Sequence, residues 1–405
     1  MNQAETTPRF KKGIPFSFKI IIAVVLGLVV GISLGAGNSN SELKPLIDNL
    51  QIPTDLFFQV LTVIVVPQIL LVLLYTLINN QISGKQGKKL VVLITQNTAV
   101  AILIGFLVVT ILSPGTWVNL DGTSNVSVTE QSYSIWKFLF FILLVLIVLP
   151  FGFVLRRIKI EQECQGKTNI QSLEKIIKVL SKAIERILTW VIALLPVAVF
   201  GTVSKSVAEQ GFMPFISFGA LIVAVLLALF LQACYYLVRI KLESSVNPFD
   251  FLRKASEAFL FSFSSASSAL TMPILWDILV NKIRLRENSA SLGVYLGGNL
   301  SKDTFALFQT MFTLFVAQIL GLSLNLEQYI ILFLLSIVTS IVTIGIPSGG
   351  IVRIIFVFNT LSLPVEYIGL LLSIYWFIDM CTTVINVMGY MTLAILLDGK
   401  ERQMN

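Results

Sequence analysis

Histidine is absent from the 405 residues of this chain. The side chain that most often moves protons near neutral pH and binds zinc is therefore unavailable. A phosphate-binding loop is also absent, so ATP is not expected to act on the protein directly. The cysteines Cys164, Cys234 and Cys381 lack the spacing of a metal site or a redox pair. These absences argue against an enzyme, and we expect no catalytic residues and no cofactor beyond a coupling cation, either a proton or sodium.

Charged residues are scarce as well, at 13% of the chain, whereas soluble proteins carry about 25%. Hydrophobic residues make up 56%. Such a chain cannot cover a water-exposed surface with polar side chains, so the lipid bilayer must cover much of it. The formal net charge is +7, but the basic residues lie in short loops between apolar runs, which argues against a nucleic-acid partner. We therefore predict an integral membrane protein.

Apolar runs of spanning length follow one another along the first 240 residues, since a helix needs about 20 residues to cross hydrocarbon. The runs are 18–36, 55–79, 89–112, 135–155, 186–204 and 212–238. Beyond them, polar or glycine-rich segments interrupt the apolar sequence at 264–268, 297–299 and 345–350. Interrupted spans are typical of transporter binding sites. The first and last of these segments are predicted to be the tips of re-entrant hairpins, although each alone could be an ordinary turn.

Lysine and arginine are concentrated in alternate loops. They are frequent before the first span and after the second, fourth and sixth, but rare near 37–54, 113–134 and 205–211. The positive-inside rule places the basic loops, and both termini, in the cytoplasm. Residues 156–182 carry both signs of charge and are predicted to form an amphipathic or surface helix that enters the next span.

A polar stripe at helical spacing interrupts the apolar run 365–397. It consists of Tyr375, Asp379, Thr382, Asn386 and Tyr390. An ionisable residue inside a span is costly and by default marks a functional site. The alternative for Asp379 is a structural ion pair with another helix.

Four motifs, in this order, resemble the dicarboxylate/amino acid:cation symporters of the glutamate-transporter type, the sodium:dicarboxylate symporter family. They are Ser-Ser-Ala-Leu-Thr-Met-Pro at 267–273, Asp at 303 with Ala-Leu-Phe-Gln at 306–309, Gly-Ile-Pro at 345–347, and Asp-Met-x-x-Thr-x-x-Asn-Val at 379–387. The region of Pro67 and residues 88–105 are similar to that family too, and the likeness is weakest around 116–175.

This resemblance implies an all-α membrane protein with about eight transmembrane helices and two re-entrant helical hairpins. Residues 1–17 would be a cytoplasmic segment, 18–249 the scaffold-forming and supporting helices, 250–397 the transport core, and 398–405 a cytoplasmic tail. The core would move like an elevator against a homotrimeric scaffold in the cell membrane, inner or plasma, and would carry a small-molecule substrate.

The resemblance also implies which residues bind the substrate. They are Ser267, Ser268, Ile346, Pro347, Ser348, Gly349, Gly350, Asp379, Thr382, Thr383 and Asn386. The Ser268 backbone and the Asn386 side chain would hold an α-carboxylate, and Asp379 with Thr383 would hold the α-amino group. Residues 346–350 would form the outer gate.

The chain departs from the family pattern where acidic substrates are recognised. Thr382 stands at the position of an arginine in acidic-substrate members, and the alternative arginine near Ala266 is absent. A side-chain carboxylate would therefore lack its bidentate partner. We expect a neutral amino acid as the substrate, and an acidic amino acid or a dicarboxylate is the alternative.

The positions that bind cations in the family differ more strongly. They correspond here to Thr95, Gly297, Asn299, Ser301, Lys302, Asp303, Ser340, Ile341, Thr343, Asn386 and Tyr390. Tyr390 replaces an aspartate, and Lys302 adds an ammonium group. Lys302 could pair with Asp303 as a tethered cation in place of sodium, or carry a proton; alternatively, it closes a structural salt bridge or reaches water. Symport with several sodium ions is not expected.

Two other classes of protein remain open from the sequence. One is a membrane enzyme with Asp303 and Asp379 as acid and base. The other is a transport-incompetent relative that acts as a receptor or scaffold. Uptake into proteoliposomes would distinguish a transporter from both.

The topology leads to a first prediction: the C-terminal tail lies in the cytoplasm, because Lys400 and Arg402 follow the last span. A reporter that is active only in the cytoplasm should be active when fused after Asn405. The matched fusion to a reporter that is active only outside should be silent, and the opposite pattern would contradict this orientation.

Overall fold

The computed structural model describes residues 16–35, 43–79, 84–117, 135–164, 169–322, 324–341, 349–364 and 366–400. Every regular element within these ranges is helical. Five stretches are long and apolar enough to cross a membrane by length and composition. They are Lys44–Gln68, Lys85–Thr116, Glu174–Gln210, Phe215–Glu243 and Tyr367–Asp398. The prediction of an all-α membrane protein is confirmed.

Eight helices precede the first hairpin. They are α1 Phe16–Ser33, α2 Lys44–Asn49, α3 Ile52–Asn79, α4 Gly84–Leu112, α5 Ile135–Cys164, α6 Asn169–Ala193, α7 Leu195–Gln210 and α8 Met213–Glu243. The region 156–182, predicted as one amphipathic helix, is shared between the end of α5 and the start of α6. The ammonium of Lys159 lies 2.8 Å from a carboxylate oxygen of Glu174 and joins the two helices.

Eight more helices follow. They are α9 Pro248–Ser265, α10 Ser268–Asp277, α11 Glu287–Ser291, α12 Gly298–Leu300, α13 Asp303–Ile319, α14 Leu326–Ile341, α15 Gly349–Thr360 and α16 Glu366–Asp398. Two π-helical segments, Ile278–Lys282 and Leu292–Gly297, widen the chain after α10 and before α12. The helix is broken at Ser301 and Lys302, immediately before α13.

Large apolar side chains are exposed on the outside of several helices. Val63 is 74% exposed, Ile111 71% and Phe230 64%. A soluble protein seldom exposes extended apolar surfaces of this kind, whereas lipid solvates them without cost. The exposed faces of α3, α4 and α8 are therefore suited to the bilayer.

Two sets of helix contacts are important for the site, and contacts of α7 with α16 and of α3 with α15 connect them. In the first, α1 packs against α7, and α3 packs against α5, α6 and α7. In the second, α4 packs against α13, and α8 packs against α16. Although α4 and α8 belong to the region 18–249, they line the segment 250–397 that was predicted as the transport core. The residues around the core are thus not contiguous in sequence.

The first predicted hairpin tip is a tight turn between α9 and α10. Ala266 caps the end of α9 with a left-handed φ of 47°. The side chain of Ser267 caps the start of α10 by accepting a hydrogen bond from the Leu270 amide at 3.3 Å. The first backbone N–H groups of α10 therefore lie at the hairpin tip, and α10 packs against α16. At the second hairpin, α14 ends at Ile341 and α15 begins at Gly349, and residues 342–348 lie outside the described ranges.

Close contact between α1 and α7 leads to a second prediction. A Cβ atom added to Gly31 would lie 2.6 Å from the Val207 Cβ and 2.8 Å from the Ser204 carbonyl oxygen. Because both neighbours belong to a packed helix, we expect Gly31→Ala to destabilise the protein by about 1–3 kcal/mol in thermal unfolding.

Gly219 provides the matched control, because a Cβ atom added there meets nothing within 4 Å. Gly219→Ala should leave the protein unchanged or stabilise it by up to about 1 kcal/mol, since alanine favours a helix. Equal melting temperatures for the two variants would show that α1 does not pack tightly on α7.

Candidate functional site

The Lys302 side chain lies where the first hairpin, the start of α13 and α16 meet. It is 5% exposed. Its ammonium donates to the Ser268 hydroxyl at 2.5 Å and to the Tyr390 hydroxyl. The nitrogen also lies 4.9 Å from the centroid of the Tyr390 ring. Neutral oxygens and a π face thus surround this cation, in the way that oxygen ligands surround a bound metal ion.

Asp303 lies beside Lys302 in sequence but has different partners. Its carboxylate accepts hydrogen bonds from the hydroxyls of Ser301, Thr98 and Tyr236 at 2.5, 2.7 and 2.9 Å. Among the described residues, Asp303 forms no direct ion pair with Lys302. The pairing expected for the two is therefore not direct, and three hydroxyls bind the carboxylate in its place.

Two residues predicted for the cation sites lie apart from this cluster. Thr95 is exposed, and its hydroxyl donates to the Val91 carbonyl of its own helix at 3.0 Å. Thr98, about one turn further along α4, contacts Asp303 instead. Asn299 is exposed in the short helix α12. Neither Thr95 nor Asn299 faces the buried carboxylate.

The other predicted cation-site residues are distributed as follows. Gly297 is buried and its carbonyl accepts from the Ser301 amide at 2.8 Å. Ser340 is buried near the end of α14 and donates to the Ile337 carbonyl at 2.7 Å. Ile341 ends that helix, and Thr343 lies outside the described residues.

Asp379 is buried on α16, where it is 9% exposed. The Thr383 and Thr382 hydroxyls donate to its backbone carbonyl at 2.6 and 3.1 Å, so both hydroxyls are used within the helix. Among the described residues, the Asp379 carboxylate accepts no hydrogen bond and forms no direct ion pair. A buried carboxylate without such partners is costly unless a ligand supplies them.

Two polar groups on the same helix also lack partners within the described ranges. They are the Tyr375 hydroxyl and the amide nitrogen of Asn386. The Asn386 side-chain oxygen accepts from the Thr304 amide at 3.3 Å, and the Thr304 hydroxyl donates to the Thr382 carbonyl at 2.9 Å. These contacts fix α13 against α16 and leave the Asn386 NH₂ group free to donate.

The first turn of α15 closes this site from the side of the second hairpin. A Cβ atom added to Gly350 would collide with the Tyr375 hydroxyl and would lie 3.2 Å from the Phe305 ring. Only glycine therefore allows α15 to approach α13 and α16 so closely. Gly349 begins this helix, whereas Ile346, Pro347 and Ser348 lie outside the described residues.

Arg353 is a site residue that sequence reasoning missed. It lies on α15, is 7% exposed, and stacks over the Phe305 ring with 4.8 Å between the guanidinium carbon and the ring centroid. The sequence contains a signal for it, because Arg353 is an isolated charge in an apolar helix. The same signal predicts a functional role for Asp379.

The site is thus a buried group of charged side chains and N–H donors, and the helices around it are α10, α13, α15 and α16. Asp379 offers a negative charge to an ammonium group. The first turn of α10 and the Asn386 amide offer N–H donors to a carboxylate. Such an arrangement is suited to a small zwitterion.

Comparisons with known proteins agree with this geometry. The sequence model of the sodium:dicarboxylate symporter family matches residues 16–400. The chain is 27% identical to the proton/sodium-glutamate symport protein of Bacillus subtilis strain 168, over 96% of this chain and 93% of the relative. It is 28% identical to the mouse neutral amino acid transporter B(0), over 61% of this chain and 44% of that relative.

A further relative is the mouse excitatory amino acid transporter 4, with 27% identity over 52% of this chain and 38% of the relative. The match to the family model extends over nearly the whole chain and includes every element that builds the site. This multi-pass, all-helical membrane protein therefore belongs to the sodium:dicarboxylate symporter family of transporters.

Proposed function

We propose that this protein is a secondary transporter that carries a small amino acid across the cell membrane. The observation that carries the proposal is the buried Asp379 carboxylate, which has no direct partner among the described residues and lies near unused N–H donors. Asp379 would hold the substrate ammonium, and Asn386 with the first turn of α10 would hold its α-carboxylate. The amino acid transporters among the relatives support this class of substrate.

An elevator-type movement would give access to the two sides in turn. The group formed by α4, α8 and the segment 250–397 would move as one body, and α1, α3 and α5–α7 would form the scaffold. The packing of α4 on α13 and of α8 on α16 supports this division. By resemblance to the family, the scaffold would be a homotrimer, with both termini of each chain in the cytoplasm.

Two candidates remain for the substrate side chain. A neutral side chain is supported by Thr382, whose hydroxyl is bonded to its own helix and which offers no cation. An acidic side chain is supported by the buried Arg353 on the facing hairpin. The names of the relatives include both a glutamate symporter and a neutral amino acid transporter.

For coupling, we propose that Lys302 takes the place of a bound sodium ion. The support is twofold: the Ser268 and Tyr390 hydroxyls bind its ammonium, and three hydroxyls donate to the Asp303 carboxylate. Oxygens that a sodium ion would need are thereby engaged in hydrogen bonds.

The role of Asp379 gives a third prediction. Asp379→Asn keeps the shape of the side chain but removes its charge, so the substrate ammonium would be buried without a counter-charge. We expect a loss of about 2–5 kcal/mol in binding, seen as loss of amino acid uptake into proteoliposomes. Asp277→Asn, at an exposed carboxylate, is the control and should transport normally; undiminished uptake by Asp379→Asn would refute the proposed site.

The fourth prediction concerns sodium. Uptake by the unmodified protein should be equal in sodium and in choline at fixed pH, because the charge is already supplied by Lys302. Lys302→Met should lose this sodium-independent uptake, whereas Lys282→Met, at an exposed ion pair with Glu257, should keep it. Uptake that vanishes in choline and returns with sodium in the unmodified protein would show that Lys302 does not replace the ion.

A further inference from the structure

The Arg353 guanidinium is buried, and none of the described residues is its direct counter-ion. Among the described residues, it forms no direct ion pair, and its one hydrogen bond runs from Nη1 to the Thr339 carbonyl at 3.3 Å. A guanidinium has five N–H donors in a planar fork. A buried charge of this kind is expensive unless an anion and further acceptors compensate it.

A structural role alone accounts for only part of this arrangement. The bond to Thr339 would cap the carbonyl end of α14, and the Phe305 ring supplies a cation–π contact. These contacts use one edge and one face of the guanidinium. Within the described part of the chain, the remaining donors have no hydrogen-bond acceptor, and donors in this geometry match a carboxylate in particular.

Arg353 lies at the border of the site that Asp379 defines. It is three residues after Gly350, which contacts both Phe305 and Tyr375, and Tyr375 is one turn before Asp379 on α16. The guanidinium is close enough to Asp379 and to Tyr375 to interact with both electrostatically. Nevertheless it forms no ion pair with Asp379, so the two opposite charges lie near each other without direct contact.

We propose that Arg353 determines specificity, by holding the side-chain carboxylate of an acidic amino acid. The inference rests on the proposed function, in which Asp379 holds the substrate ammonium and the α10–Asn386 side holds the α-carboxylate. Arg353 then supplies, from the second hairpin, the guanidinium that is absent at Thr382. The Tyr375 hydroxyl, which has no partner in the described part of the chain, is a second donor beside it.

The first measurement uses the unmodified protein and two pairs of ligands of nearly equal shape: aspartate with asparagine, and glutamate with glutamine. Charge-assisted hydrogen bonds contribute about 1.5–3 kcal/mol. We therefore expect one of the two acids to bind roughly 10- to 100-fold more tightly than its amide, measured by calorimetry in detergent.

Variants of Arg353 then locate the source of this preference. Arg353→Met should weaken binding of the preferred acid roughly 10- to 100-fold and leave binding of its amide nearly unchanged. Arg353→Lys should retain part of the preference. The double variant Arg353→Met, Thr382→Arg should recover it, because it returns a guanidinium to the neighbourhood of Asp379 from α16.

Arg239 gives a matched control for the removal of a buried arginine. It is 8% exposed and pairs with Glu243, with 2.7 Å between the Nε and carboxylate oxygen atoms. Arg239→Gln should lower the melting temperature without changing the ratio of acid to amide affinities.

The outcomes separate this inference from the proposed function. If amides or other neutral amino acids bind as tightly as the acids, Arg353 is not a carboxylate site, while the amino acid transporter stands. If Arg353→Met lowers only the melting temperature, the residue merely caps α14. If no amino acid binds the unmodified protein, the proposed function itself is wrong.

Discussion

Charge inside a membrane protein must be compensated by the protein or by its ligand, because hydrocarbon does not solvate ions. Among the described residues of the segment 250–397, four charged side chains are buried: Lys302, Asp303, Arg353 and Asp379. The local structure around them follows from this requirement. Lys302 and Asp303 lie at the helix break before α13. Hydroxyls from α4 and α8 donate to Asp303, and hydroxyls from α10 and α16 accept from Lys302. Within the described ranges, Arg353 and Asp379 are not satisfied in this way, and for this reason we propose them as the pair that faces the substrate.

This division explains how one site can serve binding and coupling. The Lys302–Asp303 side contains its own hydrogen-bond partners and corresponds to the cation sites of the family pattern. In the proposed binding mode, the Arg353–Asp379 side would hold a ligand with groups of both signs. The four charges sum to zero, so an acidic amino acid would bring one net negative charge into the site, which a co-transported proton would balance without sodium. The net charge of the substrate therefore determines which coupling ion the site requires. Because Arg353 lies on the second hairpin, a bound carboxylate would also attach that hairpin to the core.

Several features of the site were accessible from the sequence for identifiable reasons. Asp379 was predicted because a charge in an apolar helix is costly, and the tip at 264–268 because serines interrupted a span. Both depend on local composition alone. Arg353 carries the same signal, but the family pattern places a guanidinium at Thr382 or near Ala266 and therefore did not predict it. Thr98, rather than Thr95, contacts Asp303, because the direction in which each hydroxyl points depends on the rotation of α4 against α13.

Composition, hydrophobic run length and the order of motifs were sufficient, by themselves, to determine an all-α membrane transporter fold and its family. These properties depend on solvation by lipid and on helical periodicity, which act on each segment separately. Which donor satisfies which charge was decided only by the tertiary structure. Asp303 and Lys302 are adjacent in sequence, yet they turn to different helices because hydroxyls from α4 and α8 reach one and those from α10 and α16 reach the other. Partners that are distant in the chain meet only through helix packing, and no local pattern encodes that geometry.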